Sequence, residues 1–323
     1  MVESYVLARN TVLQKVGEEE IFFPFMVCAL YGLLRKYKNH SQMICDLFLK
    51  TDIIFEEGRI EEILKRHEIE LDVCDPIHDD EDDEMMTFGV SNQGHSFQMD
   101  EDGRVSFFSE RPFVICSLDD RSTTHLLNTF CHEMGHLIKG EENGYSSEEE
   151  DDASIFVVRT GLAHYVYCYR NHFTELEFTC AFATLDEAIN CIQTTDVMRE
   201  ILALPEFVDD PRIVEFVQSL NHEVLLKDRG YEYIVRLVRT LWKNEEFQKM
   251  IEDKIVEGDI DSIVEQFDSI MGEGAFEDMS LNLDQVYALS ESDEDSEMDS
   301  YVQTFQKYVA EYSKKVKEKE KIK

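Results

Sequence analysis

Residues 128–140 read NTFCHEMGHLIKG, and the way this stretch folds decides how the rest of the chain is understood. His132 and His136 stand four positions apart, about one turn of an α-helix, so a helix here turns both imidazoles to the same side. Leu126, Leu127, Phe130, Met134, Leu137 and Ile138 recur at helical spacing and define an apolar stripe that faces a core. Asp120, Ser122 or Thr123 is placed to cap the helix at its start, and Gly140 to end it. Glu133 lies about 100° round from His132, close enough to reach a water beside the imidazoles. Two imidazole nitrogens suit zinc, which then has room for a third protein ligand and for a water whose pKa falls to about 7.

Composition frames this reading. With 323 residues, 43% of them hydrophobic, the chain can bury one large core or two modest ones. Its formal net charge of -38, from 69 acidic and 31 basic residues, repels a phosphate backbone, which argues against nucleic acid as a partner. A peptide or protein substrate, and a basic one in particular, is the partner such a field attracts. The eight cysteines, Cys28, Cys45, Cys74, Cys116, Cys131, Cys168, Cys180 and Cys191, include no CxxC pair. That removes zinc-ribbon and thioredoxin readings and predicts reduced thiols in a cytoplasmic protein. The start, MVESYVLARN, lacks the basic-then-apolar order of a signal peptide. The most apolar run, IFFPFMVCALYGLL at 21–34, is too short to span a bilayer, predicts a buried helix beginning near Pro24, and gives no reason to expect a membrane partner.

Outward from the central helix the periodicity changes several times. Residues 1–74 read as a helical N-terminal region, with Ile60, Ile63 and Leu64 on one side of its last helix. The acidic run DPIHDDEDDEM at 75–85 reads as a solvated loop. HSFQMDEDGRVSFFSERPFVICSL then alternates around DEDG at 100–103, which is hairpin chemistry, so strands precede the helix. SIFVVRTGLAHYVYCYR predicts a second hairpin turning at Thr160 and Gly161. Helices resume after 183; SESDEDSEMDS at 290–300 reads as an acidic linker before a terminal helix that either docks through Val302, Phe305, Val309 and Tyr312 or samples solvent. The expected class is α+β: a domain at 75–250 with a small sheet and the His-bearing helix, a helical extension at 251–289, and a linker with its helix at 290–323.

HEMGH at 132–136 resembles the signature of zincin metallopeptidases, whose active-site helix carries two histidine ligands and a catalytic glutamate. The metzincin extension is absent, since Lys139 and Glu142 stand where its glycine and third histidine would be. In ATLDEAINCIQTTDVMREIL, 183–202, Leu185, Ala188, Ile189 and Ile192 form an apolar face, Thr184 is positioned to cap, and Glu187 follows in the first turn. This resembles the gluzincins, where a glutamate on a second helix completes a His, His, Glu site, and the LDEAIN segment is similar to one in cytosolic zincin-like proteins of Gram-positive bacteria. Gluzincins often carry an aspartate four positions after that glutamate to orient a histidine; here Cys191 occupies it, and Asp186 or Asn190 is left to serve. Glu141, Glu142, Glu175 and Glu177 are rival third ligands.

The resemblance implies a zincin-like domain that holds Zn²⁺ on His132, His136 and Glu187 and cleaves a peptide bond, with Glu133 as general base. His222, Arg229, Tyr231 and Tyr233 are available to steady an oxyanion, and Tyr231 or Tyr233 is the expected choice. The alternative is a zincin-shaped binding or regulatory protein without proteolytic activity.

Overall fold

The computed structural model describes residues 1–67, 69, 89–92, 95–99, 105–109, 111–119, 121–148, 153–170, 175–225, 232–290 and 295–321. The chain divides into two units, each made of two segments: Met1–Ile138 with Gln193–Lys227, and Lys139–Ile192 with Asp228–Lys323. Both helices and sheets build it, so the class is α+β.

The chain begins with α1 (Val2–Lys15), α2 (Phe23–Lys36), α3 (Ser41–Lys50), β1 (Asp52–Glu56) and α4 (Ile60–Arg66). Next come β2 (Gly89–Asn92), β3 (His95–Met99), β4 (Val105–Ser109), β5 (Phe113–Ser117) and α5 (Thr123–Ile138). β6 (Glu141–Glu148), β7 (Ala153–Thr160), β8 (Ala163–Arg170) and β9 (Glu175–Ala181) lead into α6 (Ala183–Ala203), which contributes residues to both units. α7 (Pro211–Ser219) and α8 (His222–Leu225) belong to the first unit; α9 (Glu232–Trp242), α10 (Glu245–Lys254), α11 (Ile260–Met271), α12 (Ala275–Ser290) and α13 (Asp295–Glu320) belong to the second.

In the first unit α2 is the central helix. Pro24 sits in its first turn, where a missing N–H costs nothing, and the residues from Phe25 to Leu34 are all buried. Its basic last turn pairs with the later half of α6, through Arg35–Glu200 at 3.1 Å and Lys36–Asp196 at 2.8 Å. The region read from sequence as helical contains a strand: β1, with its β-branched Ile53 and Ile54, pairs parallel to β5. β5 is buried along its whole length and forms the middle of a three-stranded sheet ordered β1-β5-β2, with β2 antiparallel. α4 covers that sheet as its pattern predicts, with Ile60, Ile63 and Leu64 against Val90, Phe113 and Ile115. β3 and β4 pair antiparallel, as the alternation predicts; their expected DEDG turn and the acidic run at 75–85 lie outside the described residues.

The second unit opens with a meander ordered β6-β7-β8-β9. The β7–β8 turn falls where the sequence puts it: Thr160 pairs with Ala163, and Gly161 has φ 60, the left-handed value that a glycine adopts without a Cβ clash. The helices that follow are capped by side chains, Asn244 for α10 and Asp259 for α11. Phe247, Phe267, Phe276 and Tyr312 form their aromatic core, with Tyr312 of α13 stacked on Phe267 at 4.8 Å. Of the two alternatives for the terminal helix, docking is what the structure has: Val302, Phe305 and Tyr312 are buried, with Val309 half-buried. It also starts earlier than its sequence suggests, at Asp295, inside the stretch read as a linker.

Candidate metal centre

α5 presents its histidines because its other side is fully engaged. Ser122 caps it, its Oγ accepting from the His125 N–H at 3.4 Å, whereas Asp120 lies outside the described residues. Leu126, Leu127, Phe130, Met134, Leu137 and Ile138 are all buried, as the periodicity predicts. Phe130 joins an aromatic cluster with Phe25 of α2 at 5.5 Å and Phe55 of β1 at 5.6 Å. His132 stands two residues further on, about 200° round the helix from that anchor, so a seated Phe130 turns it away from the cluster. Gly140 follows the helix, but not as a left-handed cap; a Cβ there would stand 2.3 Å from the Gly258 backbone nitrogen, so close approach is what requires glycine.

His132 and His136 are half-buried, their rings near perpendicular at 81° with centroids 4.8 Å apart. Their Nε2 atoms are 3.2 Å apart. Two nitrogens bound at about 2.05 Å to one tetrahedral zinc stand roughly 3.3 Å apart, so the separation is compatible with a shared ion, and equally with a hydrogen bond between the two rings. Glu133 is 9% exposed, and its Oε2 accepts a hydrogen bond from Ser91 Oγ on β2 at 2.9 Å. β2 passes so close that a Cβ on Gly89 would lie 3.0 Å from Glu133 Cγ and Oε1. Nothing in GVSN, the sequence of β2, announces this contact, so Ser91 escapes a reading by motif.

Two buried thiols belong to this region, Cys131 on α5 itself and Cys116 on β5. Burial, and after it the Glu133 carboxylate, pushes the Cys116 thiol well above its ordinary value; burial does the same to Cys131. Both therefore stay protonated and act as small core groups. The five cysteines with described side chains, Cys28, Cys45, Cys116, Cys131 and Cys191, are free thiols.

Comparison of the chain with protein-family models, curated proteins and solved structures returns no match.

Glu187 belongs to the second unit, on α6. From Thr184 to Thr195 it is the one residue that is not buried. The expected apolar face is present, with Leu185, Ala188, Ile189 and Ile192 in the core, but Asp186, Asn190, Gln193, Thr194 and Thr195 are buried as well. Cys191, one turn beyond Glu187, directs its Sγ to Glu187 Oε1 at 4.0 Å. Asp186, considered from the sequence as a histidine partner, has both carboxylate oxygens engaged inside the second unit: Oδ2 with Lys139 Nζ at 2.6 Å and Oδ1 with the Leu162 N–H at 2.8 Å. Thr184 is not the cap of α6, since the helix already includes Ala183.

Among the other candidates, Glu141 and Glu142 fall on β6 and Glu175 and Glu177 on β9, strands that the sequence reading did not recognise. Their side chains, with Tyr231 and Arg229, lie outside what the structure describes. Tyr233 sits half-buried in the first turn of α9, in the second unit, and His222 is exposed at the start of α8. No described helix is long and apolar enough to cross a membrane.

Proposed function

We propose that this chain is a zinc-dependent hydrolase, a peptidase of zincin type, with Zn²⁺ held by His132, His136 and Glu187. The observation that carries the reading is the imidazole pair, whose 3.2 Å Nε2 separation is close to the roughly 3.3 Å that one tetrahedral zinc requires. Donor chemistry adds support: Glu187 offers a carboxylate oxygen on α6, and Cys191, one turn beyond it, a sulfur, both donors that zinc accepts. When bound, zinc supplies Lewis acidity, polarising a carbonyl and making a water easier to deprotonate. Glu133 is the general base. Ser91 holds its Oε2, which fixes the carboxylate and leaves Oε1 to take the proton of the attacking water. The strongly acidic surface, at a formal charge of -38, draws basic peptides or protein segments toward such a site. Tyr233 remains the candidate for steadying the oxyanion within the described residues.

The test separates binding from turnover. Purified protein carries about one equivalent of zinc, which His136→Ala loses. Glu133→Gln keeps the metal and lowers peptide cleavage by about 10²–10⁴-fold. Full zinc retention by His136→Ala sinks the site, and undiminished cleavage by Glu133→Gln removes the general base.

Cys191 favours one second reading, a metal site that is structural and supports binding rather than cleavage. Glu187 and Cys191 lie one turn apart on α6, and if both were to bind with two imidazoles the shell would be closed; structural zinc sites are closed where catalytic ones keep a position open. Cobalt substitution distinguishes the two, because a thiolate ligand adds a sulfur-to-metal charge-transfer band that Cys191→Ser abolishes. A cobalt spectrum without that band rules the closed shell out.

A further inference from the structure

The start of α6 is fixed from several directions at once, all within the second unit. Phe182, the residue before the helix, has φ 65, the one positive value at a non-glycine residue among those described. A side chain there is strained, and such backbone persists only where its surroundings over-determine it. Its ring packs edge-on against Phe276 of α12 at 5.2 Å, and Asp284 of α12 accepts hydrogen bonds from the Thr184 hydroxyl and main chain. Asp186 then makes the pair already described: Lys139 and Asp186, with side chains 1% and 5% exposed, meet at 2.6 Å. Lys139 also reaches the Asp186 carbonyl oxygen at 3.4 Å, and the Leu162 N–H of the β7–β8 turn holds the other carboxylate oxygen.

A buried ion pair is a poor device for stability alone, because an apolar pair of similar volume commonly does as well or better. What such a pair can supply instead is direction, since a carboxylate held at both oxygens ties the first turn of α6 to Lys139 and to the Leu162 N–H. The next residue is Glu187, the single opening in an otherwise buried stretch of helix. We propose that the Lys139–Asp186 pair is a positioning element that sets the rotation of α6 so that Glu187 presents its carboxylate as a metal ligand, an inference that rests on the zinc reading above. Asp186 acts on the site through its neighbour, touching neither metal nor substrate.

A double-mutant cycle on zinc affinity tests it, with full-length protein and competition against a chromophoric chelator. Asp186→Asn keeps an oxygen for the Leu162 N–H and removes the charge; it weakens zinc binding by about tenfold or more, the scale of lost outer-shell partners. In the Glu187→Ala background the same change alters affinity by less than about twofold, because its route to the metal is gone. Equal losses in both backgrounds, or no loss in the first, overturn the proposal. Lys139→Met with Asp186→Leu, which replaces the pair by apolar groups, regains the melting temperature of the metal-free protein but not its zinc affinity. If that double variant regains both, or if neither it nor Asp186→Asn folds, the pair is structural and the proposal falls. If Glu187→Ala itself binds zinc undiminished, the ligand assignment fails first, which is a separately readable result.

Discussion

Gly89→Ala is a one-methyl probe of how β2 lies over the candidate base. The added Cβ would stand 2.5 Å from Thr129 Cγ2 and 3.0 Å from Glu133 Cγ and Oε1, with no room in any direction along α5. Thr129 cannot turn aside cheaply, since its Oγ1 accepts from Arg121 at 2.6 Å and loss of a charge-assisted hydrogen bond costs about 1.5–3 kcal/mol. Moving the strand instead is overpacking, at about 1–3 kcal/mol. Against either stands the gain of about 0.5–1 kcal/mol from replacing a glycine in a strand. The net expectation is a loss of about 1–2 kcal/mol, read as a lower denaturant midpoint with an unchanged slope. Thr129→Ser in the same chain removes the methyl in the shortest contact while keeping the hydroxyl, and recovers most of the loss. Under the proposed peptidase reading, cleavage falls in Gly89→Ala and does not recover in that double variant, because the contact with Glu133 remains. If Gly89→Ala is as stable as the parent, or if Thr129→Ser recovers nothing, then β2 does not lie against Glu133 in the way described.

Two further outcomes follow from packing and charge. Gly32→Ala would set a Cβ 2.8 Å from Val197 Cγ1 and 2.9 Å from the Val197 carbonyl oxygen, and backbone cannot yield as a side chain does. The steric cost of about 1–3 kcal/mol exceeds the gain of about 1 kcal/mol from helix propensity, so thermal melting shows a destabilised protein; an unchanged melt refutes the close packing of α2 and α6. Burial pushes the Asp284 carboxyl above its ordinary 3.8, outweighing the Thr184 hydrogen bonds that pull it down. The folded state then holds that proton more tightly than the unfolded one, so this group's contribution is lost as pH rises from 3.8 through the raised value. Asp284→Asn therefore melts higher than the parent at pH 7, with a difference that vanishes under acid conditions; a difference independent of pH contradicts the cause.

How much of this was readable in the sequence depended on whether a residue's role follows from its spacing. The helix with His132, Glu133 and His136 was readable, because six apolar residues at helical spacing fix which side the imidazoles take. The β7–β8 turn was readable because Gly161 is needed at its left-handed position. β1 was not: five residues between two helices give too short a window for alternation to show. β6 was hidden for a different reason, since EENGYSSE has the composition of a loop and becomes a strand through pairing with β7. α6 was only half readable. Its apolar face follows from spacing, but the spacing does not announce that Asp186, Asn190 and Gln193 are buried as well. Partners distant in sequence, such as Tyr37 for Gln193 at 3.2 Å, cannot be inferred from local pattern. The same limit hid Ser91, which meets Glu133 only after β2 pairs with β5.

The way the first unit is assembled bears on its synthesis. Its central sheet joins β1 to β5 in parallel, so that pairing waits until residue 117 has been made. Its core waits longer still, because the groove at Gly32 is filled by Val197 and Ile201, and the segment completing the unit ends at Lys227. Until then the part of α2 around Gly32 lacks its cover from α6, and a nascent chain that stops after α5 exposes it. The histidine-bearing helix is therefore made well before the unit that seats it can close. At elongation rates of about 5–20 residues per second, the interval is several seconds, long enough for a chaperone to matter.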